Sequence, residues 1–490
     1  MSRKFNKYAP ALRLASLLFG TSALMLGLQG CGGGLDVAGA SPASTEATMQ
    51  PMAAITSSTA AMQTTVTTSG GLSSFGQSPA AIRSRYGFDA LTTPAQQGSG
   101  KIIVIISAYD NPNAGADLAV FSAAKGLPGC PEVATTITPS TATSYPQAVI
   151  PKPSPGDGCT FQRFAANPNG LGANPGAIQY DTSGMWVSES NMDIQWAHAM
   201  APMAKIVLVE GSNNFISSLS GAVAVASNFA DVISMSWGGY ESGLGQTTAC
   251  TANEMVFIPG CTLFTKTQYS LFGLPNTTYN TGGGYDTKMF SNPNVTYVAA
   301  SGDAGANPLW PAVSNKVLAV GGTNDAAATD TGWSRSGGGV SKYYTSPSWQ
   351  HATSANDQRT VPDVAMPADS ATPMSVYISP QLGMKDATCV ASKGAANCGW
   401  YAGYGTSLSA PMWAGLAAVT KAVRAQAGKP VIDFTSALYN IAAVQGNYVT
   451  AFGDVTSGSD GTYLAKAGYD LLTGLGTPKA NALVGYMAAQ

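Results

Sequence analysis

Short unbroken apolar runs, bounded by polar or glycine-containing turns, recur along the middle of the chain. Lys101–Ser107 reads Lys-Ile-Ile-Val-Ile-Ile-Ser, and Lys205–Val209, Val232–Ser236, Val295–Ala300 and Val317–Gly321 share its character. A run without alternation suits a strand covered on both faces, as in a parallel sheet. Between these runs the period changes. Asp117–Lys125, Trp186–Met200 and Phe215–Asn228 carry apolar residues at helical spacing, and Ala80–Tyr86 is a short amphipathic stretch. Strands alternating with helices predict an α/β fold, a parallel sheet with helices on both faces. The longest helical pattern follows Tyr-Gly-Thr-Ser-Leu-Ser-Ala-Pro (Tyr404–Pro411). There Met412, Leu416, Val419 and Val423 repeat at helical spacing, and Gly428 and Pro430 supply a stop. No internal repeat is visible.

The amino-terminal region has a different texture. Arg3, Lys4, Lys7 and Arg13 precede an apolar core, Leu14–Leu28, that is too short to span a bilayer comfortably, so residues 1–31 read as an export signal. Leu28-Gln29-Gly30-Cys31 resembles a bacterial lipoprotein signal, which would make Cys31 the acylated first mature residue; ordinary cleavage nearby is the alternative. The expected location is the cell envelope through a lipid anchor, and otherwise the medium. Residues 32–77 are mostly Gly, Ala, Ser, Thr and Met and read as a flexible low-complexity tether. Residues 78–490 are expected to form one folded domain, with a surface excursion rich in Gly, Thr and Asn at 241–285. No later segment is apolar for long enough to cross a membrane.

Composition narrows the function. Only 10% of the 490 residues are charged, and 24 basic against 26 acidic side chains leave a net −2, which offers no nucleic-acid surface. Sparse charge with 56 glycines suits a secreted protein or acidic surroundings. Apart from Cys31, the cysteines fall into three sequential pairs, Cys130 and Cys159, Cys250 and Cys261, Cys389 and Cys398. None has Cys-x-x-Cys spacing, which argues against zinc and for three local disulfides in an oxidising compartment.

Ser407 lies at the mouth of the long helix, behind Gly405. Free N–H groups and the dipole at a helix N-terminus stabilise a developing oxyanion, and Pro411 is expected in the turn where N–H groups lack partners. The bland alternative is that the serine caps the helix. Gly-Thr-Ser followed by Ala-Pro resembles the nucleophile motif of subtilisin-like serine peptidases, which require a histidine. The chain has two. His198 lacks the glycine-flanked setting of that family's histidine, and His351 lies in a polar loop. Glu189 and Asp193, by contrast, stand one helical turn apart among Met185, Trp186, Met192, Ile194 and Trp196. They are either two solvated surface acids or a buried pair sharing a proton. Asp303 follows the strand Val295–Ala300 in Ser-Gly-Asp-Ala-Gly, where it is either a turn former or, protonated, an oxyanion donor.

Together these residues resemble the sedolisin family of serine-carboxyl peptidases, which keep a subtilisin-like fold. The resemblance implies Glu189 as general base, Asp193 as its partner, Asp303 as oxyanion donor and Ser407 as nucleophile, with Ser236, Trp237 and Gly238 along the substrate backbone. Ala108–Asn113, Ser336–Ser341 and Arg359–Val364 also look like family stretches. It further implies one calcium ion held by the Asp454 and Asp470 side chains and the carbonyls of Val455, Lys466 and Gly468, oxygen ligands that suit calcium. Tyr469 and Leu475 replace tryptophans frequent around that site. Family members commonly carry a large folded prosegment, for which residues 32–77 are too few and too polar. The expectation is an exported monomeric endopeptidase that cuts proteins or peptides at acidic pH. Its rivals are a subtilisin-like enzyme using His198 and an inactive surface-binding lipoprotein.

Overall fold

The five buried runs become parallel strands because nothing in them tolerates water on either face. A computed structural model describes residues 49–52, 54–56, 76–137, 148–166, 172–173, 178–181, 183–241, 285–379 and 398–490. The strands run, in chain order, β1 (Gln50–Pro51), β2 (Ala54–Thr56), β3 (Ile102–Ala108), β4 (Phe161–Ala166), β5 (Lys205–Gly211), β6 (Val232–Met235) and β7 (Trp237–Tyr240). They continue as β8 (Thr296–Ala300), β9 (Leu309–Trp310), β10 (Val317–Asn324), β11 (Val364–Pro367), β12 (Met374–Tyr377) and β13 (Trp400–Tyr404). The parallel part of the nine-stranded central sheet has the order β11-β10-β8-β6-β3-β5-β4.

Packed around this sheet are α1 (Pro79–Arg85), α2 (Ala114–Lys125), α3 (Met185–Met200), α4 (Ile216–Ala226) and α5 (Thr406–Gln426). Ile103, Ile105 and Leu208 share one core with Met192 and Trp196 of α3 and Met412 and Leu416 of α5. Val104, Ile106 and Val209 point the other way, into a second core with Leu219 and Val223 of α4. Successive strand residues alternate between faces, so two cores sandwich one sheet. The α/β architecture expected from the sequence is present. Among the described residues no helix is long and apolar enough to cross a membrane.

Two features aim this frame at one place. β6 and β8 are parallel neighbours, so Ser236 and the Ser301–Gly302–Asp303 turn leave the same carboxyl edge of the sheet. On the face above, α3 and α5 pack at close range. A Cβ added to Gly415 of α5 would lie 2.6 Å from Cβ of Met200, so the glycine permits that approach.

The structure departs from the sequence reading within the tether. Gln50–Pro51 and Ala54–Thr56 are strands, and Met49 and Met52 are wholly buried. Composition reports flexibility, but these residues gain their order from sheet edges far away in sequence. The signal with Cys31, Cys250, Cys261 and Cys389 lie outside the described residues, as does 242–284 of the expected excursion. Cys130 and Cys159 form a disulfide, and Cys398 is disulfide-bonded.

Candidate active site

Gly405, at φ +118°, turns the chain from β13 into α5 and occupies the capping position, with no side chain to consume the first N–H groups. Ser407 is therefore not the cap but the second helical residue. The N–H of Thr406 and its hydroxyl both donate to Oδ1 of Asp303, at 2.9 and 2.7 Å. The Ser407 N–H donates to the carbonyl of Met52 at 3.4 Å. Pro411 sits deeper in the helix than expected. A proline there cannot donate to the carbonyl four residues back, that of Ser407. That carbonyl instead accepts the Ser236 hydroxyl at 3.3 Å.

Glu189 and Asp193 are not solvated acids, for both are buried on α3, as is almost every residue of that helix. The Ser236 hydroxyl donates to Oδ1 of Asp193 at 2.6 Å. Neither Glu189 carboxyl oxygen has a hydrogen-bond partner among the described residues, nor does Oδ2 of Asp193. Ser407 Oγ donates to the Ser236 carbonyl at 3.3 Å, a long bond that it can exchange for another acceptor. Burial, and then the charge of Asp193, push Glu189 well above the usual carboxylate range; the Ser407 hydroxyl pulls it back and Asp303 adds to the rise. Burial likewise lifts Asp193 against its bond from Ser236. Two buried acids one turn apart cannot both ionise cheaply, so the pair tends to keep at least one proton. Burial raises Asp303 to about 6, against the opposing effects of the Thr406 donors and Arg335.

Neither histidine belongs to this group. His198 is buried at the far end of α3, Nε2 2.9 Å from the Pro128 carbonyl, and burial lowers it to about 4. It stands nine residues from Glu189, about 13 Å along the helix axis. His351 is exposed, 3.3 Å from the Ser346 carbonyl.

The remaining family-like stretches hold the frame. Asn111 donates from Nδ2 to Ser190 of α3 and from its backbone to Glu210. Ser336 bridges the Gly322 N–H and the Leu472 carbonyl. Arg359 grips Asp363 with two bonds of 2.6 Å, and the Tyr439 hydroxyl completes the carboxylate's shell. None of these groups hydrogen-bonds to Ser407.

Strand β7 carries Trp237 and Gly238, and both are buried. Trp237 is anchored by its indole N–H on the Ile106 carbonyl at 3.0 Å. One edge of β7 pairs with β9 and the other with β1, Gln50 opposite Gly238 and Pro51 opposite Trp237. The Met52 N–H donates to the Ser236 carbonyl at 3.0 Å. Sequence reasoning missed this partner, and also Thr406 and Tyr240, whose hydroxyl accepts the Asp303 N–H at 3.0 Å. Thr406 was readable in Gly-Thr-Ser as a second hydroxyl beside the nucleophile; Tyr240 left no local signal.

The carboxyl-terminal loops bring Asp454 and Asp470 to one turn. The Gly468 N–H lies 3.2 and 3.1 Å from the Asp454 oxygens, and the Lys466 N–H 3.0 Å from Asp470 Oδ2. Among the described residues, no hydrogen bond ends on the carbonyls of Val455, Lys466 or Gly468. Two carboxylates with three uncommitted carbonyls are a donor set that fits a hard dication.

A model of the subtilase family matches residues 181–474. Kumamolisin from Bacillus sp. (strain MN-32) is 28% identical over 327 residues, covering 59% of this chain and 49% of that protein. Sedolisin from Pseudomonas sp. (strain 101) is 26% identical over 276 residues, covering 52% and 40%. The chain thus spans about half or less of the length of these relatives. Among solved structures, Pseudomonas sedolisin, a serine-carboxyl proteinase complexed with pseudo-iodotyrostatin, superposes with a TM-score of 0.57 at 20% identity, covering 85% of this chain and 99% of that one.

Proposed function

We propose that this chain, which belongs to the subtilase family and has a sedolisin-type fold, is an exported serine-carboxyl endopeptidase acting on proteins or peptides at acidic pH. One observation carries the reading. Ser407 lies at an uncapped helix N-terminus, beside a buried carboxyl pair on α3 and next to the residue that holds Asp303, while both histidines lie elsewhere.

In this reading Glu189 takes the Ser407 proton as Oγ attacks the scissile carbonyl carbon. Asp193 keeps the pair's remaining proton and is oriented by Ser236. The developing oxyanion is held by the Ser407 N–H and by protonated Asp303. Glu189 then delivers its proton to the leaving amine, and a water activated by the same carboxylate releases the acyl group. Substrate would lie as an added strand on β7, along Ser236, Trp237 and Gly238. A single calcium ion would be held by Asp454 and Asp470 with the Val455, Lys466 and Gly468 carbonyls, and would brace the loop that carries them. Export by the 1–31 signal, anchoring through Cys31, a tether over 32–77 interrupted by strands β1 and β2, a peptidase domain over 78–490 and a monomeric state complete the reading. The two cysteine pairs that involve Cys250, Cys261 and Cys389 are proposed disulfides.

Digestion of an acid-denatured protein at about pH 4 tests it. Wild type should cleave and Ser407→Ala should not. Absence of cleavage by the wild type from about pH 3 to 8 would favour the binding-lipoprotein alternative. Membrane release of Cys31→Ala tests the anchor.

A further inference from the structure

The amino edge of the sheet, opposite the candidate active site, gathers cations. Lys101 stands just before β3, Asp231 just before β6 and Asn294 shortly before β8, whereas Ser236 and Asp303 leave the carboxyl edge. α5 runs from one edge to the other. Its first turn carries Ser407, and its later turns carry Lys421 and Arg424, with Lys421 about 21 Å from Ser407 along the helix axis. There an open cleft with about 380 Å³ of empty space is lined by Lys101, Asp231, Lys421, Arg424 and Lys429. Four cations facing one carboxylate leave it at +3, in a chain whose 26 acids outnumber its 24 bases.

These cations are short of partners. Lys421 is 7% exposed, yet among the described residues its ammonium has one acceptor, the Asn294 carbonyl at 2.6 Å. An ammonium offers three N–H groups, and burying one with two of them unmet is costly. Burial lowers Lys421 to about 8, Lys101 lowers it further, and Asp231 offsets them only in part. Asp231 is itself engaged: one oxygen lies 3.5 Å from Lys101 and the other accepts the Ile102 N–H at 3.0 Å. Arg424 is buried and pinned, with Nε and Nη2 on the Pro430 carbonyl at 3.1 and 2.8 Å and Nη1 on that of Met487. The carboxyl end of a helix favours one cation, and Arg424 supplies it. That does not account for two lysines repelling one another in the same cleft.

We infer that this cleft binds a phosphate group, held by Lys101, Lys421 and Arg424, with the exposed Lys429 as an outer cation. A tetrahedral oxyanion presents several acceptor oxygens, so it can take donors from β3 and α5 at once, and a double negative charge offsets most of the +3. Placed between Lys101 and Lys421, it replaces their repulsion with two attractions and meets the N–H groups that Lys421 has to spare. Two sources carry that group, free phosphate and the head group of an anionic phospholipid. The inference stands apart from the proposed function, since no residue of the cleft belongs to the candidate active site.

The test uses the full chain as wild type, Lys421→Met and Lys101→Gln. Lys421→Met removes the buried ammonium at similar volume, so without phosphate it should melt no lower than wild type. Calorimetric titration with inorganic phosphate at fixed ionic strength should show a single site in wild type, weakened at least about tenfold in either variant. The melting temperature should rise with phosphate in wild type and rise less in the variants. Phosphate also stabilises proteins by exclusion from their surfaces, so an equal rise in all three would overturn the inference. For the lipid source, the same proteins carrying Cys31→Ala, which removes the proposed anchor, are sedimented with phosphatidylglycerol or phosphatidylcholine vesicles. Retention on phosphatidylglycerol alone, lost with Lys421→Met, assigns the head group, and calorimetric binding without retention assigns free phosphate; either result sustains the site. If neither source binds, or if both variants bind as wild type does, the cleft is not a phosphate site.

Discussion

At the scale of single residues, the site is a chain of hydroxyls between carboxyls. Ser236 ties Asp193 to the Ser407 carbonyl that Pro411 leaves free, and Thr406 ties Asp303 to the start of α5. The bond from Ser236 lowers Asp193 against the effect of burial. Ser236→Ala removes that help, so the pair holds its proton more tightly and the base ionises at higher pH. The acid limb of the pH–rate profile should move upward in Ser236→Ala, with a loss of about tenfold at its former midpoint. An unmoved limb would show that Ser236 does not act on the pair. Glu189, Asp193, Asp303 and Ser407 could be named from the sequence as candidates. Their burial and partners could not, because a carboxyl's surroundings come from other elements. His198 shows the same limit, since only the fold shows it turned to Pro128 rather than to a serine.

At the scale of elements, the geometry depends on how closely α3 and α5 approach. Gly415→Val adds a Cβ where Met200 already lies, and overpacking of this kind costs about 1–3 kcal/mol. Because the two helices carry Glu189 and Ser407, activity should fall by more than the loss of folded protein explains. Chemical denaturation with kcat on the same samples measures both. The carboxyl-terminal loop offers a second check. A cation bound by Asp454 and Asp470 stabilises only the folded chain, so the melting temperature should rise with free calcium and fall in chelator, and Asp470→Asn should flatten that dependence. A melting curve indifferent to calcium would remove the site. The buried strands could be read from sequence because an unbroken apolar run admits few structures. β1 and β2 could not, because Gln-Pro and Ala-Ile-Thr have no strand pattern of their own and owe their pairing to β7 and β13.

At the scale of the molecule, buried carboxyls set the pH at which the fold is most stable. Burial raises Asp117 to about 6, Asp303 to about 6, Glu241 to about 7 and Glu210 to about 8. A carboxyl whose folded value exceeds its unfolded value binds more protons when folded. Its contribution is complete below about 4 and is lost as pH rises through the folded value. His198, lowered to about 4, acts oppositely, losing its contribution as pH falls from about 6.5, but it is one group against several. Lys125 and Lys421, lowered to about 8, change little below that pH. The melting temperature should therefore fall between about pH 4.5 and 8. A rise over that window would contradict the burial of these acids. Sparse surface charge, noted first as composition, fits the same acid-stable design.

A carboxylate rather than an imidazole serves the serine: that is the claim on which the account turns. The direct measurement is kcat/KM against pH for wild type, Glu189→Gln, Asp303→Asn and His198→Ala on one peptide. The wild type should peak on the acid side, with an alkaline limb near about 6 as Asp303 loses its proton. Glu189→Gln should lose at least about a hundredfold, His198→Ala should keep the wild-type profile, and the activity left in Asp303→Asn should lack the alkaline limb. An optimum at about pH 7 or above, kept by Glu189→Gln and lost by His198→Ala, would contradict the account.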